Sequence, residues 1–156
     1  MEKMKRLAII VGCCLCLLGC SHREQSGEAL LQREFYQALW ERFDYVCAAV
    51  EIDKETTFDL TLRMAFTDDY PFDDFSMVFT VFAADGEPYR SKAYKFNLKD
   101  ADGQWNCEKK DGCYTFVFPI NKSLRVSDKG TYTFQVENRM PKTPLEGVKE
   151  MALLQN

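Results

Sequence analysis

The sequence predicts a mainly β fold: a single antiparallel β-sandwich, jelly-roll or immunoglobulin-like, with a closed barrel as the alternative. Three observations carry that expectation. From Phe43 onward apolar residues recur mostly at every second position, the period of a strand with one buried face. The runs are short, and clusters of Asp, Gly and Pro punctuate them at near-regular spacing. Finally, the chain is long enough for one domain that buries about two-thirds of its unfolded surface. Many short amphipathic strands in one domain are best buried as two packed antiparallel sheets.

The elements follow in order. Glu28 to Phe43 places Leu30, Leu31, Phe35, Leu39 and Trp40 at roughly helical spacing among good helix formers, so a helix is expected there. Phe43 to Ile52 reads as a strand. Phe58 to Thr67 is the clearest strand, with Phe58, Leu60, Leu62, Met64 and Phe66 alternating against Asp59, Thr61, Arg63, Ala65 and Thr67. Asp68 to Asp74 connects it to Phe75–Ala83, which is apolar on both faces and therefore a central strand. Asp85-Gly86-Glu87-Pro88 turns the chain into Ser91–Leu98, where Tyr94, Phe96 and Leu98 share one side. Asp102-Gly103 opens another turn near Trp105. Tyr114 to Ile120 is a strand, and Pro119 marks it as an edge or a strand end. Asp128-Lys129-Gly130 leads into Thr131–Glu137, Pro141 to Pro144 is a loop, and Val148–Leu154 closes the domain.

The chain ahead of these elements has a different character. Lys3, Lys5 and Arg6 precede an apolar run from Leu7 to Leu18, and Leu17-Leu18-Gly19-Cys20 follows. A basic start, an apolar centre and a small residue before the cut make a secretory signal peptide. The run is shorter than the ~20 apolar residues of a membrane-spanning helix. Leu-Leu-Gly-Cys resembles the lipobox of bacterial lipoproteins, in which the cysteine thiol takes a diacylglyceryl group and the new amino terminus is acylated. The alternative is an ordinary secreted protein with a chance cysteine. The predicted organisation is therefore residues 1–19 signal peptide, 20–27 lipidated flexible tether, and 28–156 β-sandwich. One acyl chain binds a membrane marginally and two or more hold it stably, so Cys20 would tether the domain to a membrane face.

Composition narrows the chemistry. Removal of residues 1–19 takes away three basic residues and one acidic residue, which moves the formal net charge from −4 to −6. No basic stripe appears, which argues against nucleic acid as a partner. His22, in the tether, is the sole histidine, so the domain offers no Ser-His-Asp or Cys-His pair and no usual His-containing zinc site. No Gly-rich phosphate loop occurs. No enzyme activity and no cofactor are expected beyond the covalent lipid on Cys20. Cys107 and Cys113 flank Glu-Lys-Lys-Asp-Gly, a turn-like stretch, and are a candidate disulfide if they face each other across a hairpin. Cys47 lies in an apolar run and reads as a buried free thiol.

Two clusters remain as candidate binding residues. Asp68, Asp69, Asp73 and Asp74 could supply oxygens to calcium. A solvated turn uses Asp for local hydrogen bonds just as well, and Tyr-Pro-Phe interrupts the group, so the turn is the favoured reading. The same acids offer no defined separation for glycoside hydrolysis. The many aromatics, with Trp40 and Trp105 the two tryptophans, could form a sugar-binding platform, although core packing is their usual use.

Read strand by strand, the domain resembles the GldH family of gliding-motility lipoproteins of Bacteroidetes, from about Trp40 to the carboxyl end. The resemblance rests on the Arg63 strand followed by Asp69-Tyr70-Pro71-Phe72 and the apolar run from Phe75. Phe96-Asn97-Leu98 then leads to Asp102-Gly103-x-Trp105, and Gly130-x-Tyr132-x-Phe134 is followed by Met140 and Leu145-Glu146-Gly147-Val148. The sequence departs from the pattern at Asn106, Cys107 and Glu108, at Pro141 and at Ala152. The resemblance implies a more extended Phe35–Trp40 segment than a helix. It also implies a non-enzymatic part of the envelope machinery for gliding and type IX secretion. Ser21 after the cysteine is no evident retention signal and the tether has no run of acids to mark surface export, so the periplasmic face of the outer membrane is the expected location. The expected partners are the membrane, through the lipid, and other envelope proteins. A carbohydrate-binding lipoprotein is the alternative.

Overall fold

The computed structural model describes residues 27–156; the signal peptide, Cys20 and His22 lie outside the described residues. Two sheets form the fold. The larger is built from β1 (Glu28–Glu34), β4 (Thr56–Phe66), β7 (Lys109–Lys110), β8 (Cys113–Val126) and β11 (Val148–Gln155). Its order is β1-β11-β4-β8-β7, antiparallel throughout. The smaller contains β3 (Val46–Ile52), β5 (Asp74–Phe82), β6 (Pro88–Asn97) and β9 (Gly130–Asn138) in the order β3-β9-β5-β6. A short ribbon pairs β2 (Leu39–Trp40) with β10 (Leu145–Glu146). No ladder joins the two large sheets, so the arrangement is a sandwich and not a closed barrel.

The strand periodicities place the core. Leu60, Leu62, Met64 and Phe66 on β4 and Phe75, Met77, Phe79 and Val81 on β5 are all buried. They meet between the sheets, as the T-shaped contacts Phe58–Phe134 at 5.3 Å and Phe66–Phe75 at 6.0 Å show. As expected, β5 is central, lying between β9 and β6.

Four differences from the sequence reading have identifiable causes. Glu28–Phe43 is not a helix. Its first part is β1, hydrogen-bonded along β11, followed by a short 3₁₀ turn over Tyr36–Ala38 and by β2. The apolar spacing that looked helical arises because Leu31 and Phe35 reach the core from an irregular edge strand with a register shift between Ala29 and Leu31. Second, β3 begins at Val46; Phe43 lies in a preceding turn at φ 65°, where Asp44 N–H donates to the Glu41 carbonyl. Third, Cys47 is exposed: Val46 and Ile52 occupy the buried face of β3, which turns Cys47 outward opposite Gln135. Fourth, β8 runs on past Pro119 to Val126. The register against β4 shifts next to that proline, between Leu60 and Thr61. The edge reading still holds, because β7 pairs only with Cys113 and Tyr114 and leaves the rest of β8 open.

Candidate functional site

The acidic cluster is drawn apart by the fold. Asp68 receives Lys109 Nζ and, at 3.1 Å, the Tyr114 hydroxyl. Hydrogen bonding from Lys109 and then Tyr114 holds its carboxyl below the usual aspartate range. Asp73 lies 3.6 Å from Lys99 Nζ and Asp74 3.0 Å from Lys95 Nζ, so each of these three acids meets a different lysine. Among the described residues no group of three His, Cys, Asp or Glu could hold a metal ion. The turn chemistry is visible instead: the Asp73 carbonyl accepts from the Leu98 and Lys99 N–H groups.

Several of the residues that carry the family resemblance converge at one end of the sandwich, while Gly130, Tyr132 and Phe134 lie toward the other, opposite Ile52, Val50 and Val81. Tyr70 is 1% exposed, packs edge-on against Phe66 at 4.6 Å and donates its hydroxyl to the Asp74 carbonyl at 2.8 Å. Gly147 lies at φ 78°, and a Cβ there would overlap the backbone of Tyr70. Trp105 stacks on Tyr114 at 4.1 Å, and the little-exposed Lys99 Nζ sits 4.8 Å over the indole. Trp40 is fully buried, stacks on Phe35 at 4.8 Å and donates its indole N–H to the Asp44 carbonyl at 2.7 Å. These are packing roles, and neither tryptophan stands out as a sugar platform. The exposed aromatics are Tyr36, Phe43, Tyr45 and Tyr89.

Arg63 is different. It sits on the outward face of β4, half-exposed, with Nη2 3.0 Å from Glu150 Oε1; Gln32 Nε2 donates to the same oxygen at 3.1 Å. Beside this trio, between β4, β8 and β11, lies a polar groove of about 610 Å³ lined by Ala65, Thr115, Glu150 and the β7–β8 hairpin. A smaller hollow of about 200 Å³ extends it to Arg63.

Cys107 and Cys113 both line this groove, and both are free thiols in the structure. The reason is the turn. Asp111 and Gly112 lie at φ 49° and 78°, the two positive values of a two-residue hairpin loop. That loop pairs Cys113 with Lys110 and not with Cys107. Cys107 lies further back along the chain and packs against the core. Burial pushes its thiol pKa up. Partial desolvation by its neighbours, and then the nearby Asp44 carboxylate, raise the pKa of the Cys47 thiol as well, exposed though the residue is.

One group of side chains escaped the sequence reading. Arg90 and Lys92 alternate on β6 with Tyr94 and Phe96, so they share its otherwise apolar face. Two cations in step with two core aromatics were the available signal.

The fold and these surfaces define a small antiparallel β-sandwich whose recurrent motif residues mostly build its frame and whose open surfaces are polar. The model of the family described as GldH lipoprotein matches residues 32–153, and the chain belongs to that family. This is not a known enzyme family, and its lipoprotein character associates the chain with a membrane of the cell envelope. No curated protein matches the chain. Among solved structures, dimeric latent PorU from Porphyromonas gingivalis is similar over 84% of this chain and 13% of its own, with 11% identity and a TM-score of 0.28. The chain thus spans a small part of that protein, and the likeness is too low to carry an argument.

Proposed function

We propose that this protein is a non-catalytic, lipid-anchored component of the gliding-motility and type IX secretion machinery, acting by protein–protein contact at the periplasmic face of the outer membrane. The observation that carries the reading is membership of the GldH lipoprotein family. The lipobox Leu17-Leu18-Gly19-Cys20 supports it, since acylated Cys20 would tether the sandwich through a seven-residue polar stretch. So does the placement of Arg63: a motif residue that lines an outward groove has more to offer a partner than the core. In this reading the lipid holds the domain on the membrane, and a sheet face or strand edge binds another envelope protein.

The test is the secreted and surface proteome of a strain that lacks this gene, compared with its parent. Simultaneous loss of many exported proteins is the expected result. An unchanged proteome removes the secretion role and favours a motility-only part or the carbohydrate-binding alternative.

A further inference from the structure

We propose that the slot between the free edges of β6 and β8 receives an extended acidic segment of a partner polypeptide, added as a strand to β6. The inference rests on the reading of the domain as an interaction module and gives that module a site and a partner chemistry.

Both walls of the slot are open strand edges. β6 is the last strand of its sheet, and β8 beyond Tyr114 has no neighbour on its outer side. Two tyrosines of β6 bridge the gap: Tyr94 donates its hydroxyl to the Ile120 carbonyl, and Tyr89 donates to the Arg125 carbonyl at 2.9 Å. They occupy two carbonyls of β8 and hold the edges apart. The space left is about 400 Å³ and is lined by Arg90, Lys92, Tyr94, Lys122 and the backbone around Ile120.

The β6 edge has unused backbone donors and acceptors. Leu98 N–H donates to the Asp73 carbonyl, which fixes the phase of the β5–β6 ladder. Hydrogen-bonded pairs alternate in an antiparallel ladder, so Arg90, Lys92 and Tyr94 bond inward to β5, and Ser91, Ala93 and Lys95 present theirs outward. Ser91 and Ala93 are exposed. This is the template for strand addition.

Charge selects the occupant. Arg90, Lys92 and Lys122 form no ion pair among the described residues, whereas Lys95 and Arg125 nearby are each paired with a carboxylate. Three unpaired cations around one slot are out of keeping with a chain of net charge −4. In an added strand, the residues opposite Arg90 and Lys92 project to the same face, at about 5 Å, and Lys122 faces them from β8. Carboxylates two positions apart therefore match the slot. Edge cations also serve to repel a second edge strand, and the two roles differ in one measurable respect: a merely protective edge binds nothing.

The experiment uses the full lipoprotein in detergent micelles and fluorescence anisotropy. The probe is a labelled octapeptide alternating Thr and Glu. The controls are alternating Thr and Lys, alternating Pro and Glu, and inorganic polyphosphate of similar charge. The Thr–Glu probe is expected to bind, and Lys92→Glu or Arg90→Glu to weaken it about tenfold. Ala93→Pro removes one outward N–H without touching the β5 ladder and is expected to weaken it by a similar factor, about tenfold. Lys92→Glu leaves the backbone unchanged, so it decides the matter if Ala93→Pro fails to fold. No binding of the Thr–Glu probe, or equal binding of Pro–Glu peptide or polyphosphate, overturns the proposal. The probe assay is independent of the deletion proteome, so failure of the slot and failure of the secretion reading are told apart.

Discussion

Gly147 illustrates how a motif residue in this family works on its neighbours. Its φ of 78° is open to glycine at little cost, and a Cβ would collide with Tyr70 backbone and not with a side chain that could swing away. The Gly147 carbonyl also accepts from Thr67 N–H at 2.9 Å, so the two loops cannot separate without losing that bond. Gly147→Ala is therefore expected to cost about 3 kcal/mol or more, since backbone strain and displacement of a buried tyrosine add. Urea unfolding of the variant and the parent measures it; a midpoint within error of the parent would show that the Tyr70 loop yields freely. Tyr70, Gly147 and Trp105 were recognisable in the sequence as motif members. That they form one contact cluster was not, because they are far apart in the chain.

At the scale of elements, the β7–β8 hairpin shows how a turn decides side-chain chemistry. Five residues between Cys107 and Cys113 look like a loop that brings the two thiols face to face. The actual loop is Asp111-Gly112, and the ladder on either side sets Lys110 against Cys113. If the Cys20 sulfur is held in a thioether to the lipid, as proposed, the unfolded mature protein is expected to show three reactive thiols without reductant, namely Cys47, Cys107 and Cys113. Titration with a thiol reagent in denaturant counts them; a count of one would mean that Cys107 and Cys113 had been bridged and that the hairpin had shifted. β1 makes the complementary point. Its composition favours helix, yet an edge of β11 stands open beside it, and six residues pair along that edge, bonding the backbone groups that face β11. Tertiary pairing overrides local preference there.

For the whole molecule, pH gives the most direct test of the packing. Burial raises the pKa of Tyr70 far above the ordinary tyrosine value, with the Asp74 carboxylate adding to it. Tyr94, Tyr114 and Tyr132 are raised as well, each chiefly by desolvation. A raised native pKa means that the folded state keeps its proton after the unfolded chain has lost it. Stability is then complete below the unfolded value, about 10 for tyrosine, and falls as pH rises from there toward the native values. The raised thiols of Cys47 and Cys107 start the decline earlier, from about pH 8.5. Urea midpoints are expected to be level near neutrality, to slope gently above about pH 8.5 and to drop steeply above about pH 10. Tyr70→Phe should flatten the steep part. It should also lower the unfolding free energy at neutral pH by about 1–3 kcal/mol, because the Asp74 carbonyl loses its donor. An unchanged alkaline slope in that variant would show that Tyr70 is not shielded as the packing requires.

Period-two alternation and turn residues are local properties of the chain, and the two-layer β architecture, the positions of seven strands and the central place of β5 were legible from them. The sequence also made the family legible, through motifs whose order is linear. Tertiary structure alone decided that Glu28–Glu34 is a strand, that Cys47 faces outward, that the four clustered aspartates do not converge, and that Arg90, Lys92 and Lys122 surround one slot. Each of these depends on which strand lies alongside which and in what register. A shift of one residue in register exchanges the buried face for the exposed one, and nothing local in the chain fixes it.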